Sequence, residues 1–178
     1  MGSQFAQVAR ALGAGRVDAV VGTPAKQDIA HELGYDHAYL RSDVASMDAD
    51  TYDIVIDPVG GAATKAGFGV LRAGGRLVRV GNASQSPDVA LSSMAHWIEN
   101  KTTAGFNVGA WLAERPEEGA ASLRWALEAA ARGEIRVDLT RVGEVNEVPD
   151  LLAALERGDT TGKLAVRMAV GRHSEILL

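Results

Sequence analysis

The sequence predicts an α/β protein on a doubly wound, Rossmann-like parallel sheet, truncated before its first strand and followed by a C-terminal strand–helix–strand segment. Three observations carry that expectation. Short β-branched runs alternate with helical stripes over the first hundred residues, the rhythm of parallel strands joined by crossover helices. The strongest run, "YDIVIDPVGG" at 52–61, is continuously apolar through Ile54, Val55 and Ile56, as in strands covered on both faces. Four strand ends carry small or polar residues, and ligands of open parallel sheets lie beyond such carboxyl ends.

Each element has a local reason. Phe5, Val8, Ala9 and Leu12 recur at i, i+3, i+4 and i+7, an amphipathic helix with Ser3 as its N-cap and Gly13 or Gly15 as its close. Val17, Ala19, Val20 and Val21 read as a buried strand. Thr23 then caps a helix with Pro24 at its first position, Ile29, Ala30 and Leu33 on its apolar face and Gly34 at its end. "HAYLR" at 37–41 is a weaker strand and 52–57 a strong one. A helix from Ala62 to Leu71 leads to the strand "RLVRVG" at 76–81, and a short helix at Ser92–Asn100 to the strand "TTAGFNV" at 102–108. Pro116, Glu117 and Glu118 begin a long helix, acidic residues suiting its positive N-terminus. Leu123, Leu127 and Ala130 are its expected buried stripe and Gly133 its end.

Beyond Gly133 the cadence changes to "DLTRVGEV", "NEVPDLLAALERG" and "GKLAVRM", so a boundary falls there. Residues 1–133 form the Rossmann-like domain, 134–170 the strand–helix–strand segment and 171–178 a tail.

Composition removes several functions. A net charge of −5 with scattered Lys and Arg, and 5% aromatics, argue against a nucleic-acid surface. No stretch approaches a membrane span, and residues 1–15 lack the pattern of a signal peptide. The absence of cysteine removes disulfides and thiolate metal sites and fits a cytoplasmic protein. His31, His37, His96 and His173 stand at no metal-ligand spacing and read as ordinary residues.

The ligand expectation starts at residue 3. A helix N-terminus there would favour a pyrophosphate, and Gly2 would be the last glycine of a G-x-G-x-x-G loop. Enzymes that use NAD place an acid about twenty residues on. Here that position is Gly22-Thr23, with no carboxylate. Thr23, Lys26 and Arg41 instead offer a hydroxyl and two cations, which suits the extra 2′-phosphate of NADP. The remaining strand ends are Asp57-Pro58-Val59-Gly60, Gly81-Asn82-Ala83 and Phe106-Asn107. Asp57, after a buried strand, reads as a turn cap rather than a proton carrier, so no catalytic residue is assigned.

The stretches "GSQFAQVARALGAG", "VVGTPAK", "YDIVIDPVGG", "LRAGGRLVRVGNAS", "TAGFNV" and "ALERGDTTGKL", in this order and spacing, resemble the zinc-independent quinone oxidoreductases of the medium-chain dehydrogenase/reductase superfamily. The resemblance implies NADP(H) as cofactor, with hydride transfer to a quinone or activated alkene in a complete enzyme. It places Gly2 and Ser3 near the pyrophosphate, and Thr23, Lys26 and Arg41 around the 2′-phosphate. Asp57, Val59 and Gly60 would border the ribose, Gly81, Asn82, Phe106 and Asn107 the nicotinamide half, and Lys163 would face the cleft. It also implies a homodimer formed through the edge strand "AGFNV". The family's N-terminal domain, glycine-rich loop and central strand are missing from this sequence, and Leu152 stands where the family often has histidine. Without the central strand, the strands beginning at Val17 and Tyr52 either pair with each other or take a strand from another chain. A non-catalytic binding or oligomerisation module and an S-adenosylmethionine fold are the alternatives.

Overall fold

The computed structural model describes residues 2–168. The expectations for the tail and for His173 lie outside them. The chain divides into two compact units: Met1–Tyr39 with Ala126–Leu178, and Leu40–Trp125. The α/β architecture with parallel pairing is as the sequence predicts.

The first unit opens with α1 (Gly2–Ala11), which runs into β1 (Asp18–Val21), α2 (Ala25–Glu32) and β2 (His37–Leu40). The helix takes in Gly2, so Ser3 lies inside it, buried, rather than capping it. Strand β1 pairs with β2. Thr23 does not cap α2 with its side chain; Pro24 holds the cap position and Gly34 closes the turn with φ of 91°. The turn before β2 is fixed by Asp36, whose carboxylate accepts from the Val17 N–H at 2.7 Å and pairs with Arg10. Those two contacts, the backbone one first, hold its carboxyl below the ordinary carboxylate range. Tyr35 donates its hydroxyl to the Gly2 carbonyl, and burial pushes that phenol upward.

The chain returns to this unit at its other end. Strands β6 (Leu139–Glu144) and β7 (Lys163–Arg167) pair in parallel across α7 (Val148–Glu156). The Gln7 side chain ties α1 to the stretch before β6, donating to the Arg136 carbonyl and accepting from the Arg136 N–H at 2.6 Å.

The second unit is a three-stranded parallel sheet, β3 (Tyr52–Asp57), β4 (Leu71–Arg79) and β5 (Thr102–Gly105), with α3 (Ala62–Gly69) and α4 (Ser93–Glu99). Phe68, Leu71 and Leu77 form its core, with Val55, Leu91 and Ala95 against them. Gly67 allows α3 to approach β3, because a Cβ there would lie 2.9 Å from Val55 Cγ1. Strand β4 begins at Leu71, earlier than its apolar run, through a bulge: Tyr52 faces Leu71 while Ile54 already faces Arg76.

Three expectations fail here. Ile54 and Ile56 are 61% and 38% exposed, so the face of β3 opposite Val55 is open, and β3 has a strand partner only in β4. Within its own unit, β1 is bonded to β2 among the described residues. Strand β5 stops at Gly105, because Asn107 caps a further helix, α5 (Val108–Glu114), by accepting from the Ala110 N–H. In α6 (Pro116–Ala131) Leu123 and Leu127 are each 62% exposed and Ala130 is exposed too; Gly119 and Ala129 are the buried positions. Gly119 lets that helix approach α5, since an added Cβ there would fall 2.2 Å from Leu112 Cδ2.

Candidate functional site

A concavity of the second unit lies beyond the carboxyl ends of β4 and β5. The turn after β3 supports the loop that lines it. Asp57, 3% exposed, accepts from the Val59 N–H at 2.8 Å, the Gly60 N–H at 2.9 Å and the Thr64 hydroxyl at 2.5 Å. A buried carboxylate with three donors is satisfied. It shapes the Pro58–Gly61 turn and ties the start of α3 to it through Thr64, the turn role its position predicts.

The loop after β4 is stitched onto that turn. The Val80 N–H donates to the Asp57 carbonyl, Ala83 to Pro58 and Ser84 to Val59, each within 3.0 Å. The approach requires glycine at position 60. Its φ is 81°, and an added Cβ would fall 2.2 Å from Asn82 Oδ1 and 2.9 Å from Arg79 Nη2. Gly81 is confined in the same way, with the Pro58 carbonyl oxygen 2.9 Å from where its Cβ would stand. At Gly60 bare backbone meets the Asn82 and Arg79 side chains, and at Gly81 it meets the Pro58 carbonyl.

Beside the loop so held opens a cavity of about 540 Å³ lined by Arg79, Val80, Gly81, Gly105, Phe106, Asn107 and Val108. The Phe106 ring leans on Trp111 with centroids 5.7 Å apart, and the Phe106 N–H donates to the Arg79 carbonyl. Arg79 pairs with Asp88, and that hydrogen bond, ahead of one from the Val89 N–H, keeps the Asp88 carboxyl below its usual range.

Of the residues singled out in the sequence, Asp57, Val59, Gly60, Gly81, Asn82, Phe106 and Asn107 come together here. Arg41, exposed, follows β2. Gly2, Ser3, Thr23, Lys26 and Lys163 belong to the other unit. There the Lys26 ammonium donates to the Gly158 carbonyl, and Lys163 starts β7 with its N–H on the Asp138 carbonyl at 2.7 Å. Sequence reasoning missed Arg79. The signal was a charge closing the apolar run "RLVRVG".

No group of three or more His, Cys, Asp or Glu lies together among the described residues, and the sequence has no cysteine. These residues do not fit a zinc ion.

A parallel α/β fold with a backbone-walled cleft at its strand tips defines the class, the nucleotide-using α/β domains. The family described as zinc-binding dehydrogenase matches residues 1–128, and the chain belongs to it, within the medium-chain dehydrogenase/reductase superfamily. A solved quinone oxidoreductase from Thermus thermophilus, known also in complex with NADPH, is 29% identical with a TM-score of 0.76. That likeness covers 94% of this chain and 54% of that one. A cobalt- and zinc-bound alcohol dehydrogenase from Pyrobaculum aerophilum is 26% identical, TM-score 0.73, over 92% of this chain and 46% of its own. Phthioceranic/hydroxyphthioceranic acid synthase of Mycobacterium tuberculosis (strain ATCC 25618 / H37Rv) is 26% identical over 175 residues, which is 94% of this chain and 8% of the synthase. The chain thus spans about half of these solved structures and a small part of the synthase. No helix among the described residues is long and apolar enough to cross a membrane.

Proposed function

We propose that this chain is the NADPH-binding portion of a quinone oxidoreductase-like enzyme, which in its complete form transfers hydride to a quinone or activated alkene. The observation that carries the reading is the cavity after β4 and β5, walled by the Gly81 backbone, Phe106 and Asn107. A flat heteroaromatic ring needs such a wall: backbone without a side chain on one flank and an aromatic on the other. When bound, the reduced nicotinamide supplies the hydride.

The chain's own residues do the holding. Asp57 fixes the turn that presents Val59 and Gly60 toward the ribose. Gly81 and Asn82 offer backbone beside the nicotinamide half, and Phe106 excludes water from it. Thr23, Lys26 and Arg41 are assigned to the adenosine 2′-phosphate, Gly2 and Ser3 to the pyrophosphate, and Lys163 to the cleft. The choice of NADPH over NADH rests on those cations and on the lack of an acid at Gly22-Thr23.

The chain is proposed to form a homodimer through β5. The outer edge of that strand has no partner among the described residues, and Met94, Trp97 and Ile98 of α4 are exposed. Calorimetric titration of the chain with NADPH, NADH and S-adenosylmethionine tests the cofactor reading. Heat with NADPH above that with NADH supports it. Heat only with S-adenosylmethionine, or with none of the three, rejects it.

A further inference from the structure

The loop after β4 is held by more than its backbone bonds, and one side chain supplies three further contacts. Arg79 ends β4 and sends its guanidinium in three directions: Nε to the Gly81 carbonyl at 3.3 Å, Nη2 to Asn82 Oδ1 at 2.9 Å and Nη1 to Asp88 Oδ1 at 2.5 Å. A guanidinium is a rigid planar fork, so three partners on one fork fix three loop positions relative to each other. A lysine at the same place offers a point charge and no such geometry. The Asn82 side chain so fixed is the one that packs over Gly60, and the Asn82 amide group also reaches the Ser86 carbonyl at 3.4 Å. Arg79 thereby binds the loop after β4 at three points and lies against Gly60 of the turn after β3, while itself lining the cavity beside Gly81.

We infer that Arg79 is a positioning residue for this cavity: its guanidinium, anchored by Asp88, locks the Val80–Asp88 loop in the shape that presents the Gly81 backbone to a ligand. The identity of the ligand rests on the dinucleotide reading above; the locking of the loop does not. Asp88 acts as the counter-ion that aims the fork, and its own side chain is mostly exposed, so it adds little to the packing of the unit. Asp57, the other carboxylate nearby, is spoken for by Val59, Gly60 and Thr64 and does not compete for the guanidinium.

The test uses the whole chain in two measurements. Amide hydrogen exchange without ligand follows Gly81 to Ser86 against the interior of β4, and NADPH titration follows affinity. Arg79→Met should raise exchange of the loop amides at least tenfold while Leu77 and Val78 stay protected, and should weaken NADPH binding by about tenfold or more. Arg79→Lys should recover part of both effects, because it keeps the charge facing Asp88 and loses the fork. Asp88→Asn, at an exposed side chain, should give a smaller change in the same direction and guards against an Arg79 variant that fails to fold. Loop amides as protected in Arg79→Met as in the wild type overturn the proposal. So does a loss of affinity with exchange unchanged, which would make Arg79 a direct ligand contact. If the wild type binds no NADPH, the dinucleotide reading fails, and the exchange measurement still decides the role of Arg79.

Discussion

Replacing Gly60 with alanine separates two costs that usually arrive together. The first is backbone conformation. At φ of 81° an L side chain is strained by about 1–2 kcal/mol. The second is collision, since the new Cβ would sit 2.2 Å from Asn82 Oδ1 and displace it from the Arg79 guanidinium. Hydrogen bonds to charged groups contribute roughly 1.5–3 kcal/mol, and the loop must also shift. Gly60→Ala should therefore destabilise the second unit by about 2.5–5 kcal/mol. Gly74 supplies the control: its φ is 79°, almost the same, and nothing lies within 4 Å of its missing Cβ. Gly74→Ala should cost only the conformational part, about 1–2 kcal/mol. Trp97 and Trp111 report on the second unit, so urea titrations followed by tryptophan fluorescence measure both variants. Equal losses in the two would refute the claim that the turn after β3 and the loop after β4 are closed onto each other at Gly60.

Other perturbations follow from single contacts. Asp57→Asn replaces a carboxylate that accepts three bonds with an amide whose NH2 faces donors, and should destabilise by about 2–4 kcal/mol in the same fluorescence assay. Lys26→Ala should narrow the ratio of NADPH to NADH affinity in paired calorimetric titrations; an unchanged ratio removes Lys26 from the site. Sedimentation at tens of micromolar should give a dimer, and Trp97→Glu, at a side chain 73% exposed, should give monomer without unfolding the chain. Asp36, Asp88, Glu134 and Glu147 all have carboxyls held below their ordinary range, the first and last chiefly by backbone N–H groups and the other two by arginine. Their stabilisation is in place above the unfolded value near ~4 and is lost as pH falls through the lower folded values. Thermal melts should show the loss of this contribution as a decline in Tm on the acid side of about pH 4.

How far the sequence reveals this fold can be judged from where it succeeds and where it does not. Strand β3 was legible because three consecutive β-branched residues ending at Asp57-Pro58 have few other uses. The open face of that strand was not, because Ile54 and Ile56 read the same whether or not anything covers them. Periodicity alone also misassigned α6: Leu123, Leu127 and Ala130 fit a helical stripe, yet the buried side runs through Gly119 and Ala129. Apolar size suggested which face goes inward, and at Gly119 the close approach of Leu112 selects a residue without a side chain instead. Helix α5 was missed because Asn107 was weighed as a ligand contact, when its side-chain oxygen accepts from Ala110 and starts a helix.

The candidate site divides along the same line. A turn residue such as Asp57 announces itself, since a carboxylate between an apolar strand and Pro-Val-Gly-Gly needs donors and the next N–H groups supply them. Arg79 does not announce itself, because an arginine closing an apolar strand looks like the point where the strand reaches water. Its partners at Gly81, Asn82 and Asp88 belong to a loop whose shape is set by long-range contact with Pro58 and Val59, and no local pattern encodes that contact. A residue whose role is to hold a loop acquires that role only once the loop has something to be held against. Here that support is Gly60, the one position in the turn where even a methyl group would strike the Arg79–Asn82 pair.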